Sequence, residues 1–377
     1  MKSQQQIILY LQRTTTTLSV AASGSKGGDL MRTKDDLIKI QSVPLEVKIL
    51  MTQRRIREWV SEFGVDGVYV SFSGGKDSTV LLHLVRKLYP DVEAVFVNTG
   101  LEFPEIQKFV KSFDNVKVLY PEMTFSEVIK KYGYPFLSKS LSHNIAIARN
   151  NPDGKIKKNV FSPEYKGLYS AYKYITLTDK SQTDLMISDK CCDVMKKAPL
   201  HKYEKETGKV GIVATMACES KVREKSWLET GCNSFDGKYK ISKPMSFWTE
   251  QDVLEYIRRN NIEIASVYGE IYQDIPDQLP GQSIFEWVEE FVAKGCPLST
   301  TGERRTGCIF CGFGAHLEKG EGRFERLKRT HPKQYDYCMN GGSYDSDGIW
   351  KPDKNGLGMK HVIDTLNSLY GEDFIKY

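Results

Sequence analysis

The chain has 377 residues, of which 40% are hydrophobic and 27% charged, and its formal net charge is +5. A chain of this length and balance can bury a sizeable core, so its stability does not require disulfide bonds. No apolar run is long enough to span a membrane and the N-terminus lacks a signal peptide, so we expect a cytoplasmic protein without membrane contact. The mild positive charge suits an anionic substrate but does not by itself indicate a nucleic-acid-binding protein.

The first predicted elements are a tail and an amphipathic helix. Residues 1–34 are polar, rich in Gly and Ser and without a hydrophobic period, which predicts a disordered tail. Beyond them, apolar residues recur at three-, four- and seven-residue spacing. This pattern predicts a helix that ends at Gly64 and buries Leu45, Ile49, Ile56, Trp59, Val60 and Phe63.

Short apolar runs alternate with helical patterns along the next part of the chain. The runs at residues 67–72, 94–98, 116–120 and 209–216 predict strands, the first of them buried, and a helical pattern follows each of them. This alternation predicts an α/β fold with a doubly wound, mostly parallel, Rossmann-like sheet. Residues 133–190 hold few regular patterns, so we expect long loops and short helices there.

Two folded regions are predicted after the tail. Residues 35–248 are expected to form the nucleotide-binding domain, because the strand and helix patterns and the glycine-rich loop all lie there. Residues 249–377 are expected to form a helical C-terminal region that contains a segment rich in Cys and Gly at 295–314.

A glycine-rich loop stands between the first predicted strand and its helix. Backbone N–H groups can converge on an anion where glycines remove the side chains, and the helix N-terminus adds its dipole. A lysine supplies charge to a phosphate, an aspartate is placed to cap the helix or to hold a metal ion, and serines add hydroxyl donors. The predicted phosphate-binding residues are Ser73, Gly74, Gly75, Lys76, Asp77 and Ser78, with Lys76 and Asp77 as the catalytic pair.

Four motifs in order resemble the PP-loop adenine-nucleotide α-hydrolases, and within them the phosphoadenosine-phosphosulfate reductase family. They are SFSGGKDSTVLLHLVRKLYP, VFVNTGLEFPE, an ES-x-x-R motif and PMSFWTEQDVLEYI, and the resemblance covers about residues 45–315. It implies that an adenine nucleotide, either ATP or an adenylyl sulfonucleotide, binds at the carboxyl ends of the strands. The residues that it implies for nucleotide binding, beyond the phosphate loop, are Asn98, Thr99, Gly100, Glu102 and Arg223.

The cysteines indicate a second kind of site. Eight cysteines in a chain without an export signal argue against disulfides, and a CxxC pair usually binds metal or does redox work. The segment CCDVMKKAPL resembles one in cluster-bearing sulfonucleotide reductases, which implies a [4Fe–4S] cluster on Cys191, Cys192, Cys308 and Cys311. Lys196 and Lys197 are then expected to offset its negative charge. Zinc and buried reduced thiols are the alternatives, and Cys296 is an alternative fourth ligand.

One departure from the family decides between two enzyme classes. Reductases of this type carry a nucleophilic cysteine in a short ECGLH-like tail, whereas this sequence ends YGEDFIKY and its phosphate loop is intact. We therefore favour an ATP-dependent, sulfurtransferase-type enzyme that cleaves ATP at the α-phosphate to activate an acceptor, with Mg²⁺ and Lys76 carrying the phosphate charge and the cluster aiding sulfur transfer.

Two further functions stay open. The first is a reductase of adenylyl sulfate or phosphoadenylyl sulfate that produces sulfite with Cys338 or a partner's thiol as nucleophile. The second is a non-catalytic subunit that binds an adenine nucleotide. For the favoured enzyme the acceptor could be tRNA, DNA or a small molecule, and a sulfur-donor protein is a possible partner. Basic stretches at residues 155–158, 304–305 and 323–329 could contact a nucleic acid, although such stretches are usually solvated surface.

Overall fold

The computed structural model describes residues 32–164, 171–236, 240–275, 281, 283–286 and 297–377. Nearly all of the predicted tail, and Cys296, lie outside the described residues. The chain forms two compact units. The first takes the described residues of Met1–Phe96, Phe103–Val118 and Tyr203–Thr306; the second takes those of Val97–Glu102, Leu119–Lys202 and Gly307–Tyr377. Residue 248, the predicted domain boundary, lies inside the first unit.

The strands are short. In chain order they are β1 (Val68–Ser71), β2 (Ala94–Val97), β3 (Val116–Leu119), β4 (Phe136–Leu137), β5 (Val210–Ile212), β6 (Asn233–Ser234), β7 (Ile241–Ser242), β8 (Ile271–Gln273), β9 (Leu298–Thr300), β10 (Gly312–Phe313), β11 (Ser343–Tyr344) and β12 (Trp350–Lys351).

The α-helices begin with a short one directly after the predicted tail. In chain order they are α1 (Lys34–Gln41), α2 (Leu45–Phe63), α3 (Lys76–Arg86), α4 (Pro104–Val110), α5 (Phe125–Tyr132), α6 (Lys139–Asn150), α7 (Lys155–Val160), α8 (Lys190–Cys192), α9 (Ala198–Thr207), α10 (Lys221–Thr230), α11 (Glu250–Asn260), α12 (Arg323–Thr330), α13 (Pro332–Met339) and α14 (Met359–Tyr370). A π-helical turn (Asp193–Lys197) joins α8 to α9, and 3₁₀ turns lie at Tyr172–Thr178, Ala217–Glu219, Ser266–Tyr268 and Ala315–Leu317.

The central sheet has six strands in the order β3-β2-β1-β5-β7-β6. β1 runs parallel to both β2 and β5, β5 runs parallel to β7, and the edge pair β6–β7 is antiparallel. The consecutive residues Val68, Tyr69 and Val70 are all buried, so both faces of β1 are covered. A strand buried on both faces has no polar alternation, which is why its sequence is a continuous apolar run. The predicted α/β, mostly parallel fold is confirmed.

The helices of the first unit follow the predicted patterns closely. In α2 the residues Ile56, Trp59 and Val60 are buried, and the helix ends at Gly64, whose φ of +77° favours glycine. In α11, Thr249 accepts a hydrogen bond from the backbone N–H of Asp252, whose carboxylate accepts one in return from the Thr249 N–H. This reciprocal cap fixes where the helix begins.

The second unit departs from the prediction of loops and short helices for residues 133–190. The 12-residue helix α6 lies within it, and the reason that its pattern was missed is the chemistry of its buried face. Ser142 and Arg149 are buried there beside Ile145 and Ala148. Ser142 bonds the Ser138 carbonyl at 2.8 Å, so a buried polar residue is satisfied locally and the hydrophobic period is broken.

The described helices include none that combines the length and the apolar character needed to cross a lipid bilayer.

Candidate functional site

The phosphate loop connects β1 to α3 in the first unit. Gly74 has a φ of +72°, and a Cβ atom on it would lie 2.7 Å from Val110 Cγ2 and 2.8 Å from Ile106 Cγ2. Only glycine meets both conditions, because any other residue would be strained and would clash with α4. The next glycine, Gly75, is the N-cap of α3, so the loop leads directly into the positive end of a helix.

The loop serines and a threonine hold the turn together. Ser78 Oγ accepts a hydrogen bond from the Ser73 N–H at 3.1 Å and donates to the Gly75 carbonyl at 2.9 Å. Thr79 Oγ1 donates to the same carbonyl at 3.0 Å, and the two serine oxygens are 3.1 Å apart. The predicted hydroxyl donors are therefore also structural residues that fix the backbone of the loop.

Lys76 is buried, with only 3% of its surface exposed, at the first position of α3. Its ammonium group donates to the Arg304 carbonyl at 2.7 Å and forms an ion pair with Glu250 at 3.1 Å. Its backbone N–H donates to the hydroxyl of Tyr268 at 3.0 Å. A buried lysine is tolerated because these oxygens satisfy its charge. The part of Lys76 in phosphate binding stays a prediction.

Asp77 lies among a group of charges around the loop. The pKa of its carboxyl group is raised above the ordinary value. Burial and the Glu250 carboxylate raise it by more than the Lys76, Arg305 and Arg223 cations lower it. One carboxylate oxygen, Oδ1, is buried without a hydrogen-bond partner, although the side chain as a whole is 29% exposed. The Lys76 ammonium lies 3.9 Å from this oxygen, too far for a hydrogen bond, so the oxygen keeps the capacity to bind Mg²⁺.

Arg223 reaches the same group of charges from α10. Ser220 caps that helix by accepting from the Arg223 N–H at 3.3 Å, and the Arg223 guanidinium pairs with Glu219. The predicted ES-x-x-R motif is thus a helix start that carries an arginine. Arg305 lies within electrostatic reach of both Arg223 and Asp77. The sequence had shown Arg305 only as part of a basic stretch, and it gave no signal at all for Tyr268.

The turn after β2 belongs to the second unit. Gly100 has a φ of +72° and donates its N–H to Asn98 Oδ1 at 3.0 Å. Glu102 accepts from the N–H of Thr99 at 3.0 Å and from its hydroxyl at 2.7 Å. The residues predicted to contact the nucleotide therefore bond in two pairs within the turn, Asn98 with Gly100 and Thr99 with Glu102. Their part in nucleotide binding stays a prediction.

The second unit brings the predicted cysteines near one another. Cys191 and Cys192 lie in α8, directly before the π-helical turn, and Cys311 donates its N–H to the Cys308 carbonyl at 3.0 Å. All four are free thiols. Their charges interact: a hydrogen bond to Cys192 and burial, together with charges at Cys192, Cys311 and Cys308, raise the pKa of Cys191.

The thiols of this group differ in acidity. The hydrogen bond from Cys191, together with the Lys139 and Lys196 cations, lowers the pKa of Cys192 to about 6 against the effect of burial. Burial raises the pKa of Cys308 to about 11, against the effect of Lys196. For Lys196, burial alone would lower the pKa, but the Cys308 thiol and the Glu102 carboxylate raise it above the ordinary value. The lysine thus stays a cation beside the thiols.

The four cysteine thiols are chemically suitable ligands for a metal centre. They lie on two segments, with a cation beside them and a π-helical turn, a feature found often at functional sites. As they stand, no three His, Cys, Asp or Glu side chains in the described part of the chain are arranged to hold a metal ion.

Two further cysteines have contrasting surroundings. Cys338 in α13 is fully buried, its thiol contacts the Met359 sulfur at 3.3 Å, and burial raises its pKa far above the ordinary value. Cys218 is exposed in the first unit; burial of part of its surface raises its pKa, whereas the Arg305 cation lowers it. No motif in the sequence gave a role to Cys218.

The family model of the phosphoadenosine phosphosulfate reductase domain matches residues 67–140 and 137–312 of this chain. These stretches contain the phosphate loop, the turn after β2, Arg223 and the four cysteines. The chain therefore belongs to the phosphoadenosine phosphosulfate reductase domain family.

Individual relatives are distant. An adenosine 5'-phosphosulfate reductase of Staphylococcus haemolyticus is 24% identical over 222 residues, which cover 58% of this chain and 72% of that protein. A phosphoadenosine 5'-phosphosulfate reductase of Xylella fastidiosa is 22% identical over 64% of this chain and 83% of that protein. An uncharacterized protein of Methanocaldococcus jannaschii is 23% identical over 75% of this chain, but the match spans only about half of that protein (51%).

Among solved structures, the phosphoadenylyl-sulfate (PAPS) reductase from Candida auris matches 63% of this chain and 92% of its own, at 16% identity and a TM-score of 0.34. Similarity at this level adds nothing to the site, so the fold rests on the sheet order and strand directions described above.

Proposed function

We propose that the protein is an ATP-dependent enzyme of sulfur metabolism that cleaves ATP at the α-phosphate to activate an acceptor. The observation that carries this proposal is the complete phosphate loop, in which a buried lysine and the helix N-terminus are accompanied by Arg223 and Arg305. These cations and the helix N-terminus suit a departing pyrophosphate, which would compete with Glu250 for Lys76 and with Glu219 for Arg223. A substrate without a pyrophosphate group would leave most of this positive charge unused.

The proposed reaction is the transfer of the adenylyl group of ATP to the acceptor. An oxygen of the acceptor forms a bond to the α-phosphorus, the bond from that phosphorus to the oxygen bridging the β-phosphorus breaks, and pyrophosphate leaves with the electron pair. The Lys76 ammonium and the first backbone N–H groups of α3 stabilise the charge that builds up on the leaving group. Asp77 would hold Mg²⁺, which supplies further charge neutralisation.

The second unit would hold the sulfur chemistry. Cys191, Cys192, Cys308 and Cys311 would bind a [4Fe–4S] cluster, with zinc as the alternative, and Lys196 would balance its charge. When bound, such a group supplies a thiophilic surface that positions or delivers sulfur. The seven cysteines of the described residues are all unpaired, which suits a reducing compartment such as the cytoplasm.

A sulfonucleotide reductase is the second candidate, and the named relatives favour it. Such an enzyme attacks the substrate sulfur with a thiolate, and Cys338 is the described cysteine that follows the CxxC pair. Its complete burial and raised pKa make it a poor nucleophile. A reductase built on this chain would therefore need a thiol other than Cys338, either from this chain or from a partner protein. The non-catalytic nucleotide-binding subunit is less well supported, because Lys76 and Asp77 are both in place.

The acceptor is proposed to be tRNA, DNA or a small molecule. Exposed basic residues on α7 and α12 are suited to a nucleic-acid backbone. A sulfur-donor protein would then supply the sulfur.

The test is pyrophosphate release from ATP by Lys76→Ala, measured with Mg²⁺, a thiol reductant and pools of tRNA, DNA and small thiol acceptors. We expect turnover to fall by about 100-fold or more, because a preorganised charge on the leaving group is lost. The matched control is Lys87→Ala, which removes an exposed lysine at the other end of α3 and should keep wild-type turnover.

Two results would contradict the proposal. Normal pyrophosphate release by Lys76→Ala would remove the phosphate loop from the reaction. Sulfite release from adenylyl sulfate by the wild-type protein, without pyrophosphate release from ATP, would make it a reductase.

A further inference from the structure

A short segment of the first unit covers the phosphate loop. We call it the cover, and it consists of Tyr268 and residues 301–306. Backbone hydrogen bonds hold its two parts together: Gly302 donates to the Tyr268 carbonyl and Glu303 to the Val267 carbonyl, both at 2.9 Å. The cover is therefore a defined piece of structure and not a loose loop.

The cover occupies the groups of the loop that a phosphate would use. The Tyr268 hydroxyl accepts the backbone N–H of Lys76 at 3.0 Å, and the Arg304 carbonyl accepts its ammonium group at 2.7 Å. The Thr306 hydroxyl lies 2.6 Å from the Tyr268 hydroxyl, and both oxygens lie 3.2 Å from the point where a Cβ on Gly75 would be. The backbone N–H of Lys76 is thus bonded to a neutral hydroxyl, whereas its ammonium group is shared between the Arg304 carbonyl and the Glu250 carboxylate at 3.1 Å.

We propose that Tyr268 is a specificity-determining residue: its hydroxyl competes with ligand phosphate for the N-terminus of α3. This rests on the phosphate loop of the proposed function. A phosphate oxygen forms a stronger, charge-assisted hydrogen bond to the same N–H than a neutral hydroxyl does, so a ligand that brings a pyrophosphate group displaces the hydroxyl. A ligand that places no phosphate in the loop, such as AMP, leaves the cover in position.

The Thr306 hydroxyl determines the direction of the hydrogen bonds that the Tyr268 hydroxyl makes. Tyr268 has 1% of its surface exposed, so its own proton must find an acceptor within the protein, and Thr306 Oγ1 is within reach. The Tyr268 oxygen is then free to accept from Lys76. Removing either hydroxyl weakens the closed cover while the ring and the methyl group keep their packing.

The experiment measures binding of inorganic pyrophosphate, ATP and AMP by calorimetry to wild type, Tyr268→Phe, Thr306→Val and Lys76→Ala. We expect pyrophosphate and ATP to bind about three- to tenfold more tightly to Tyr268→Phe, since one buried hydrogen bond no longer has to be displaced. Thr306→Val should shift affinity in the same direction, and AMP affinity should not change. Tyr256→Phe is the matched control, because its part-buried hydroxyl bonds His83 at 3.0 Å instead of the loop.

Each other outcome decides against the inference. Equal pyrophosphate affinity in wild type and Tyr268→Phe, with loss of binding in Lys76→Ala, would overturn the competition and leave the phosphate loop standing. Weaker binding by Tyr268→Phe would make the hydroxyl a phosphate ligand. Absence of pyrophosphate binding in all variants that keep Lys76 would overturn both this inference and the proposed function.

Discussion

Cys338 shows how the surroundings of one residue can separate two enzyme classes. Its thiol is fully buried on α13 against Met359, and burial raises its pKa well above the ordinary value. At neutral pH Cys338 therefore holds its proton and does not supply the thiolate that a reductase needs. The sequence had suggested only weakly that Cys338 is not catalytic, because the evidence was limited to the lack of an activating charge beside Cys338 in the sequence.

We therefore predict that Cys338→Ser keeps pyrophosphate release from ATP close to the wild-type rate at a temperature where both proteins are folded. In the native wild-type protein, iodoacetamide should label Cys338 far more slowly than the exposed Cys218, as read by peptide mass spectrometry. Release of sulfite from a sulfonucleotide that disappears in Cys338→Ser would show instead that the helix opens and that Cys338 is the nucleophile.

At the residue scale the site was only partly predictable. The glycines and Lys76 could be identified because a phosphate loop is a local pattern, in which a strand, two glycines and a helix start follow one another. Tyr268 and Arg305 could not be identified as residues beside the phosphate loop, since they come from distant segments and carry no motif. What brings them to the loop is tertiary packing, which leaves no periodic trace in sequence.

The elements were predictable where burial and sequence period agree. β1 and α2 are examples, because their buried residues are apolar and regularly spaced. Helix α6 is the counterexample, since its buried Arg149 donates to the Leu177 and Thr183 carbonyls and hides the period. The hydrophobic pattern reports apolar burial alone, so a helix that buries satisfied polar groups is easily missed.

An ion pair at one end of the central sheet provides a test at the scale of elements. Glu93 directly precedes β2 and Lys209 directly precedes β5, and their charged groups are 2.8 Å apart; Tyr203 of α9 also donates to Glu93. Burial alone would raise the pKa of Glu93, but the hydrogen bonds from Lys209 and Tyr203 hold it below the ordinary value of 4.5.

We predict that Glu93→Gln lowers the free energy of unfolding at pH 7 by about 1–2 kcal/mol, measured by urea denaturation. Because the folded-state pKa is depressed, this stabilisation is complete above the unfolded value of 4.5 and is lost as the pH falls through the lower folded value. The difference between wild type and variant should therefore shrink below pH 4.5. Glu122→Gln, which removes a largely exposed pair with Lys202, should change stability by less than about 0.5 kcal/mol. A difference for Glu93→Gln that does not vary with pH would contradict this.

At the scale of the whole molecule, the chain passes repeatedly between its two units. The second unit combines residues 97–102, 119–202 and 307–377, and β10 pairs with β4 across a long stretch of intervening chain. A domain boundary can be seen in a sequence where the composition changes. The composition does not change at the positions where this chain passes from one unit to the other. The predicted division at residue 248 was based on the order of the motifs, which carries no information about these crossings.

This arrangement gives the proposed cluster a structural role that can be measured. Its four cysteines come from two distant segments of the second unit, so a metal centre would cross-link them and restrict the unfolded chain.

We predict that protein purified without oxygen is brown and contains iron and sulfide, and that removing the iron lowers its melting temperature. Amide exchange should then accelerate in residues 190–200 and 307–314. The exchange rate should not change in residues 73–79, because the hydrogen bonds that hold this loop join residues of the first unit. Cys308→Ser should lose the iron, whereas Cys218→Ser, which removes an exposed thiol of the other unit, should keep it. Colourless protein with one equivalent of zinc would replace the cluster by a zinc site, and protein without either metal would leave these cysteines as ordinary thiols.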